Sequence, residues 1–309
     1  MKELYSTISL AELCGLFGYT RQNFYKVTRC FEYRTSYETT VLNIVKEIRV
    51  DQHKIGTIKL QSIINQRIDI PIGRDRLYKL LKKNKLLIRR RKKYHPQMTD
   101  GNGQSKYPDL RKGLKVDKIN QLWCSDFTYV SLQTSQRHCY LVCITDEYSH
   151  LIVGYHLDLR MRTRELLIAL NKALSEQLEE RQVKFKSPLI FHSDRGSQFK
   201  SDEFQKQCQQ HNIISSMADK GKSHENPVAE RLNGIIKNEL LITDSFENFE
   251  LAKKAIDKAI RIYNEQRPHL SCNLLTPQQA HQQNNGPLKK LWKQRKYKNR
   301  KNENRGEQT

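Results

Sequence analysis

Three acidic residues stand in settings that suit one kind of chemistry. They are Asp126 in Trp123-Cys-Ser-Asp126-Phe-Thr-Tyr129-Val, Asp194 in Ile190-Phe-His-Ser-Asp194-Arg-Gly196, and Glu230 in Asn226-Pro-Val-Ala-Glu230-Arg-Leu-Asn. Attack on a phosphodiester near neutral pH needs an activated water or hydroxyl. It also needs charge neutralised on the attacking and leaving oxygens, and two divalent ions about 4 Å apart do both. Mg²⁺ takes hard oxygen ligands and keeps several waters, so a few carboxylates suffice. Crowded carboxylates repel one another, and bound cations relieve that repulsion. Taken one at a time, each aspartate reads equally well as a turn or capping residue. The order and spacing of the three favour a joint role, metal-assisted phosphoryl transfer on nucleic acid.

The elements that must position them can be read from the flanking pattern. Asp126 lies inside a strand-like run, Trp123 to Ser131, where a charge is costly unless paired or metal-bound. Asp194 follows a short apolar strand, Leu189 to Phe191, at the start of a glycine-containing turn. Glu230 lies near the start of a helix that Asn226 caps, with Pro227 in its first position. At about 100° per residue, Val228, Leu232, Ile235 and Ile236 cluster on one side, with Glu230 and Lys237 opposite them. A ligand and a cation on one face could hold metal and DNA phosphate together, although on this helix alone an ordinary solvated pair is the simpler reading. Asp146, Glu147 and Asp158 read as turn residues. Glu239 falls on the apolar side of the helix, and Glu225 precedes the cap.

Two more strands are expected at Cys139–Thr145 and Leu151–His156, and a fifth at Ile213-Ile214. Helices are expected around Leu166–Leu174, over Asp202–His211 and over about Glu247–Asn264. Three adjacent strands followed by alternating helices and strands make an α/β protein with a mixed sheet and helices packed on it.

The N-terminal third reads as helical. Ser9-Leu-Ala-Glu12 is a capping-box pattern, Gly18 breaks the stripe after it, and Thr20 can cap a short helix over Arg21–Lys26. That pair resembles a helix-turn-helix. Val41, Ile44, Val45 and Ile48 mark a further amphipathic helix, and two more are expected at Ile58–Asn65 and Arg74–Asn84.

The 309 residues carry 55 Lys/Arg against 33 Asp/Glu, a net charge of +22. The stretches Arg74–Lys93 and Lys289–Lys301 supply most of the excess. Such a field favours a polyanionic partner and says nothing about fold. Arg74, Arg76, Arg89, Arg90 and Arg91 in the first stretch, with Arg231 and Lys237 beside Glu230, are the candidate phosphate contacts. The seven cysteines form no CxxC pair, which points to core thiols and a reducing compartment. Neither a signal peptide nor an 18-residue apolar run is evident.

These motifs resemble those of the second-frame (OrfB) proteins of insertion-sequence-three family transposases and, more distantly, the retroviral integrase core. The residues that carry the resemblance are Trp123-x-x-Asp126-Phe-Thr-Tyr129-Val, His192-Ser-Asp194-Arg-Gly196-Ser-Gln198-Phe and Asn226-Pro-Val-Ala-Glu230-Arg-Leu-Asn-Gly-x-x-Lys237-x-Glu239-Leu. Tyr263-Asn-x-x-Arg267-Pro-His269 and Thr276-Pro277 follow them. The resemblance covers roughly residues 40 to 282. It implies an RNase H-like mixed sheet with flanking helices, preceded by an all-α helical DNA-binding region. It also implies a DDE triad at Asp126, Asp194 and Glu230 that binds Mg²⁺, with Mn²⁺ as substitute, as two ions. Lys237 would contact DNA near the cut end.

The implied activity is metal-dependent DNA cleavage and strand transfer on the inverted-repeat ends of an insertion sequence, in the bacterial cytoplasm or nucleoid. Implied partners are target DNA, further copies of the chain, and an upstream-frame OrfA-type protein, sometimes joined by frameshifting. The expected organisation is a helical DNA-binding region over 1–94, a linker over 95–118, a catalytic core over 119–285 and a basic tail over 286–309. A non-catalytic DNA-binding regulator or inactive copy, and a structure-specific nuclease on the same fold, are the rival readings. The intact triad argues against the first, and the N-terminal helical region argues against the second.

Overall fold

The computed structural model describes residues 8–88, 107–178, 185–219, 226–241, 243, 245–283, 286, 288 and 291. Arg89, Arg90, Arg91 and most of the basic tail lie outside the described residues. The chain forms two compact units, Met1–Lys93 and Tyr94–Thr309.

The first unit is all helical. Helix α1 (Leu10–Leu16) starts at the expected capping box, in which Ser9 Oγ accepts from Glu12 N and Glu12 Oε2 accepts from Ser9 N. Thr20 caps α2, but α2 runs unbroken over Arg21–Asp51. The short helix expected at Arg21–Lys26 and the amphipathic one around Val41–Ile48 are therefore a single helix. No glycine or proline lies between residues 27 and 40 to break it, and no apolar stripe lies there to reveal it by period. Val41, Val45 and Ile48 of α2 pack with Leu60 and Ile64 of α3 (Thr57–Asn65) and Leu77 and Leu81 of α4 (Arg74–Lys83). The opposite face of α4 exposes Arg74, Arg76, Lys79, Lys82 and Lys83.

The second unit is built on one mixed sheet in the order β3-β2-β1-β4-β5. The strands are β1 (Leu122–Leu132), β2 (His138–Asp146), β3 (Ile152–Asp158), β4 (Leu189–Ser193) and β5 (Ile213–Met217). The first three are antiparallel neighbours; β4 runs parallel to β1, and β5 parallel to β4. A two-residue strand, β6 (Ser245–Phe246), pairs with the far end of β1. The arrangement is the mixed α/β sheet with flanking helices that the sequence implies.

Helix α5 (Thr163–Gln177), the short α6 (Ser197–Lys200) and α7 (Asp202–Gln210) cover one face. There Leu166, Leu170, Phe199 and Phe204 pack on Trp123, Val142, Val153 and Phe191. Gly154 lets α5 come close, since a Cβ at that position would collide with the Ala169 carbonyl and lie 2.8 Å from Ala173 Cβ. Helix α8 (Pro227–Ile235), a π-helical turn (Ile236–Leu240) and α9 (Phe249–Glu265) cover the other face. They bury Leu232, Ile235, Ile236, Ile256, Ile260 and Tyr263 against Leu141 and Cys143.

A 3₁₀ turn (Leu270–Cys272) and α10 (Pro277–Gln283) are the last elements among the described residues. Asn264 bonds both backbone groups of Ile152, accepting from N at 3.0 Å and donating to O at 3.1 Å, which ties α9 to the start of β3.

Two expectations need revision. Residues 107–118, which polar composition marks as linker, include a segment docked on the sheet. Leu110 N donates to Ser216 Oγ (2.9 Å), Met217 N donates to Pro108 O (3.3 Å), and Lys112 pairs with Asp219. Asn226 also does not cap α8 through its side chain. None of the seven cysteines is in a disulfide, and six are buried. Among the described residues no helix is long and apolar enough to cross a membrane.

Candidate active site

Strand register brings the two aspartates together. In the parallel pairing of β1 with β4, Cys124 stands opposite His192. Two residues farther along both chains are Asp126 and Asp194. Side chains alternate along a strand and parallel neighbours lie about 4.8 Å apart, so both carboxylates project from the same face at adjacent positions. Asp126 is inside β1, paired across to Cys143, whereas Asp194 is the first residue past β4. There the chain turns back: Asp194 Oδ1 accepts from Gly196 N at 2.9 Å. A Cβ on residue 196 would sit 3.0 Å from that oxygen, so glycine suits the turn.

Helix α8 brings the third carboxylate. The buried Asn226, at its start, donates through Nδ2 to Ser125 O, next to Asp126 (2.9 Å). Asn233 Nδ2 donates to Asp126 Oδ2 (3.0 Å). Asn226, Glu230 and Asn233 are spaced i, i+4, i+7 and so share one helix face. Two asparagines thus fasten α8 to β1, one turn before and one turn after Glu230.

The electrostatics record how close these groups are. Asp126 is pushed up from the usual 3.8 to about 7, first by burial and then by the charge on Asp194. Glu230 adds to the rise, while the Phe127 backbone bond and Lys237 work against it. Asp194 is also raised, mainly by burial, against the Gly196 bond and Lys200. Lys237 is lowered by its own burial, partly offset by Asp126. A site with this much clustered negative charge is unfavourable without a cation.

Lys237 does not follow straight-helix geometry. The helix widens into the π turn after Ile235, which rotates the following residues around the axis. The Lys237 ammonium lies 4.0 Å from the centroid of the Tyr129 ring on β1. The buried stripe of α8 is Ala229, Leu232 and Ile235, with Val228 only half-buried. Glu239 faces the interior, but as half of an ion pair: Arg267 Nη2 and Nε reach its two oxygens at 2.8 and 3.1 Å.

The remaining sequence candidates are apart from this cluster or undescribed. Arg231 is exposed on α8. Arg74 and Arg76 belong to the other unit, where Arg74 pairs with Asp75 and Arg76 lies over the Tyr37 ring at 4.8 Å. Sequence reasoning passed over Asn233, Tyr129 and the Glu239–Arg267 pair. The i, i+4, i+7 spacing of Asn226, Glu230 and Asn233 was the available signal for the first.

Comparison with known proteins adds the following. Residues 117–223 and 211–277 match two models of the integrase core domain. A 31 kDa protein of insertion element IS600 from Shigella sonnei is 32% identical over 270 residues, covering 86% of this chain and 96% of that protein. Transposase InsF of insertion sequence IS3A from Escherichia coli K12 is 31% identical over 166 residues, 53% of this chain and 55% of that protein. Among solved structures, the HTLV-2 integrase catalytic core in complex with magnesium is 26% identical with a TM-score of 0.40, covering 52% of this chain and 96% of that one.

Proposed function

The chain belongs to the insertion-sequence-three family of transposases, and from that premise we propose that Asp126, Asp194 and Glu230 form the metal-binding catalytic triad with which it cuts and joins DNA. Its activity is DNA transposition, a polynucleotidyl transfer. The observation that supports the site assignment is the parallel β1–β4 register, which sets Asp126 on β1 beside Asp194 just past the end of β4, with Glu230 close enough to raise the Asp126 pKa.

The donor set fits Mg²⁺, with Mn²⁺ as substitute: three carboxylates, all hard oxygen ligands, in a site where Asp126 and Asp194 are pushed towards their neutral forms until a cation arrives. Two ions bound there would activate the attacking water or 3′-hydroxyl and neutralise the leaving oxygen. The protein's own contribution is positioning. The buried sheet fixes the two aspartates, Asn226 and Asn233 fix the helix that carries Glu230, and Asn233 holds the Asp126 carboxylate in one orientation. Lys237, desolvated over Tyr129, supplies a cation beside the cluster for the phosphate next to the scissile bond.

The exposed basic face of α4, with Arg74 and Arg76, and the undescribed Arg89, Arg90 and Arg91 contribute phosphate contacts to the terminal repeat. Arg231, exposed one residue beyond Glu230, adds another. The chain acts on paired ends as an oligomer, together with an upstream-frame partner.

The test is strand transfer on a labelled DNA end of the chain's own element, with Mg²⁺ or Mn²⁺ and the upstream-frame protein present. Glu230→Gln should retain end binding and lose joining. Joining at the wild-type rate in that variant would remove Glu230 from the triad.

A further inference from the structure

A second group of donor atoms lies outside the carboxylate cluster. His150, His269 and Cys272 each present one ligand atom, and the three atoms lie within 4.8 Å of one another. His150 sits in the turn between β2 and β3. His269 caps and Cys272 ends the 3₁₀ turn after α9, more than a hundred residues later in the chain. The two imidazoles stack at 4.4 Å with 25° between their planes. Cys272 is fully buried and its thiol donates to Ser149 O, the residue before His150, at 3.4 Å.

Both turns depend on uncommon backbone. His150 has φ +59°, and Asn273 and Leu274, directly after Cys272, have φ +54° and +64°. For leucine the left-handed region is strained, and such strain persists only where the surroundings enforce it. Four backbone bonds between His269 and Leu275 lock this loop, among them Cys272 N to His269 O and His269 N to Leu275 O.

We propose that His150, His269 and Cys272 bind one zinc-class dication that staples the loop after α9 to the β2–β3 turn. Two imidazole nitrogens and one thiolate make a borderline-soft set suited to Zn²⁺ and unsuited to Mg²⁺. Tetrahedral zinc holds its ligands at roughly 2.0–2.3 Å, so the three donors must close to about 3.5 Å apart. Rotation of the two ring side chains supplies that movement, and a water completes the tetrahedron. The site is thus chemically separate from the carboxylate cluster, which prefers the harder ion.

Its place in the fold gives it a purpose. Arg267, whose guanidinium holds Glu239 of the π turn, lies two residues before His269. A metal at the loop would therefore anchor the brace behind the helix that carries Glu230 and Lys237.

The test uses the full chain, purified without chelator and washed in Mg²⁺ buffer, with metal content read by mass spectrometry. About one zinc per chain is expected, falling by about tenfold or more in Cys272→Ala and His150→Gln. Asp194→Asn should keep its zinc, because it touches only the carboxylate cluster. His150 is half-buried in a turn, so His150→Gln is the variant that tests ligation with the least risk to folding; circular dichroism checks that it folds. Replacing zinc with Co²⁺ should give a thiolate-to-metal absorption band in the near ultraviolet that Cys272→Ala abolishes. Wild type that carries no zinc and retains none through gel filtration after Zn²⁺ addition would overturn the proposal. So would full zinc content in a folded Cys272→Ala or His150→Gln.

Discussion

Replacing Asp126 with asparagine should make the metal-free protein more stable, and only above mildly acidic pH. In the folded chain this carboxyl titrates at about 7 instead of 3.8, because burial and the Asp194 charge penalise its ionised form. The folded state therefore holds the Asp126 proton more tightly than the unfolded state does. Below pH ~4 the residue is neutral in both states and costs nothing. The cost grows between pH ~4 and ~7 and is complete above that range. A shift of about three units at ~1.4 kcal/mol per unit sets a ceiling of about 4 kcal/mol, and relaxation of the site can be expected to halve it. For a unit of this size ~1 kcal/mol moves the melting temperature by about 2–4 °C. Asp126→Asn should then melt about 4–8 °C higher than wild type at pH 8 in chelator, with the gap closing towards pH 4. Asparagine keeps an oxygen for the Asn233 donor, so this bond survives the change. Calorimetric melting of both proteins between pH 4.5 and 8.5 in EDTA reads the effect directly. Added Mn²⁺ should raise the wild-type melting temperature more than that of the variant. An equal or lower melting temperature for Asp126→Asn at pH 8, or a gap independent of pH, would refute the electrostatic account of the site.

Two further perturbations separate structure from chemistry. Arg267→Met leaves Glu239 facing the interior without its cation and should cost about 3–5 kcal/mol in denaturant unfolding; Arg267→Met combined with Glu239→Leu should recover most of that loss. Lys237→Met should leave the melting temperature within about 2 °C of wild type, because a methionine side chain is long enough to cover the Tyr129 ring that the ammonium now covers. It should also lower the salt slope of DNA-end affinity by about one, read by fluorescence anisotropy across salt concentrations; an unchanged slope would take Lys237 off the phosphate.

The sheet was legible because its strands are short apolar runs bounded by turn residues, and helices such as α5 and α9 because their apolar residues recur at the helical period. What pattern could not show was continuity without amphipathicity. The middle of α2 carries no apolar stripe, so a 31-residue helix read as two separate pieces. The π turn was equally hidden, since it depends on how Ile236 and Leu240 settle into the core after Ile235 rather than on residue type. The docked segment after Tyr107 looked like linker because its contacts run through its own backbone groups, Leu110 N and Pro108 O, to Ser216 and Met217, which leave no mark in composition.

The positions of the carboxylates were legible and their supports were not, for a physical reason. An acid inside an apolar run is conspicuous because it is costly there. The groups that make it tolerable are neutral amides, which cost little anywhere and so stand out nowhere in a sequence. Asn226 looked like a helix cap, and Asn233 carried no signal of its own. In the fold both bond to β1 on either side of Glu230, where a helix held by apolar contacts alone would be free to slide by part of a turn. Directional bonds fix the register of α8 against β1 in a way that Leu232 and Ile235, packed without direction, do not. The proposed triad would depend on that distinction: Asp126 and Asp194 are set by the pairing of β1 with β4, and Glu230 by a pair of amides. The positions beside a catalytic acid that share its helix face are therefore where supporting residues should be sought, even when the residue type is unremarkable.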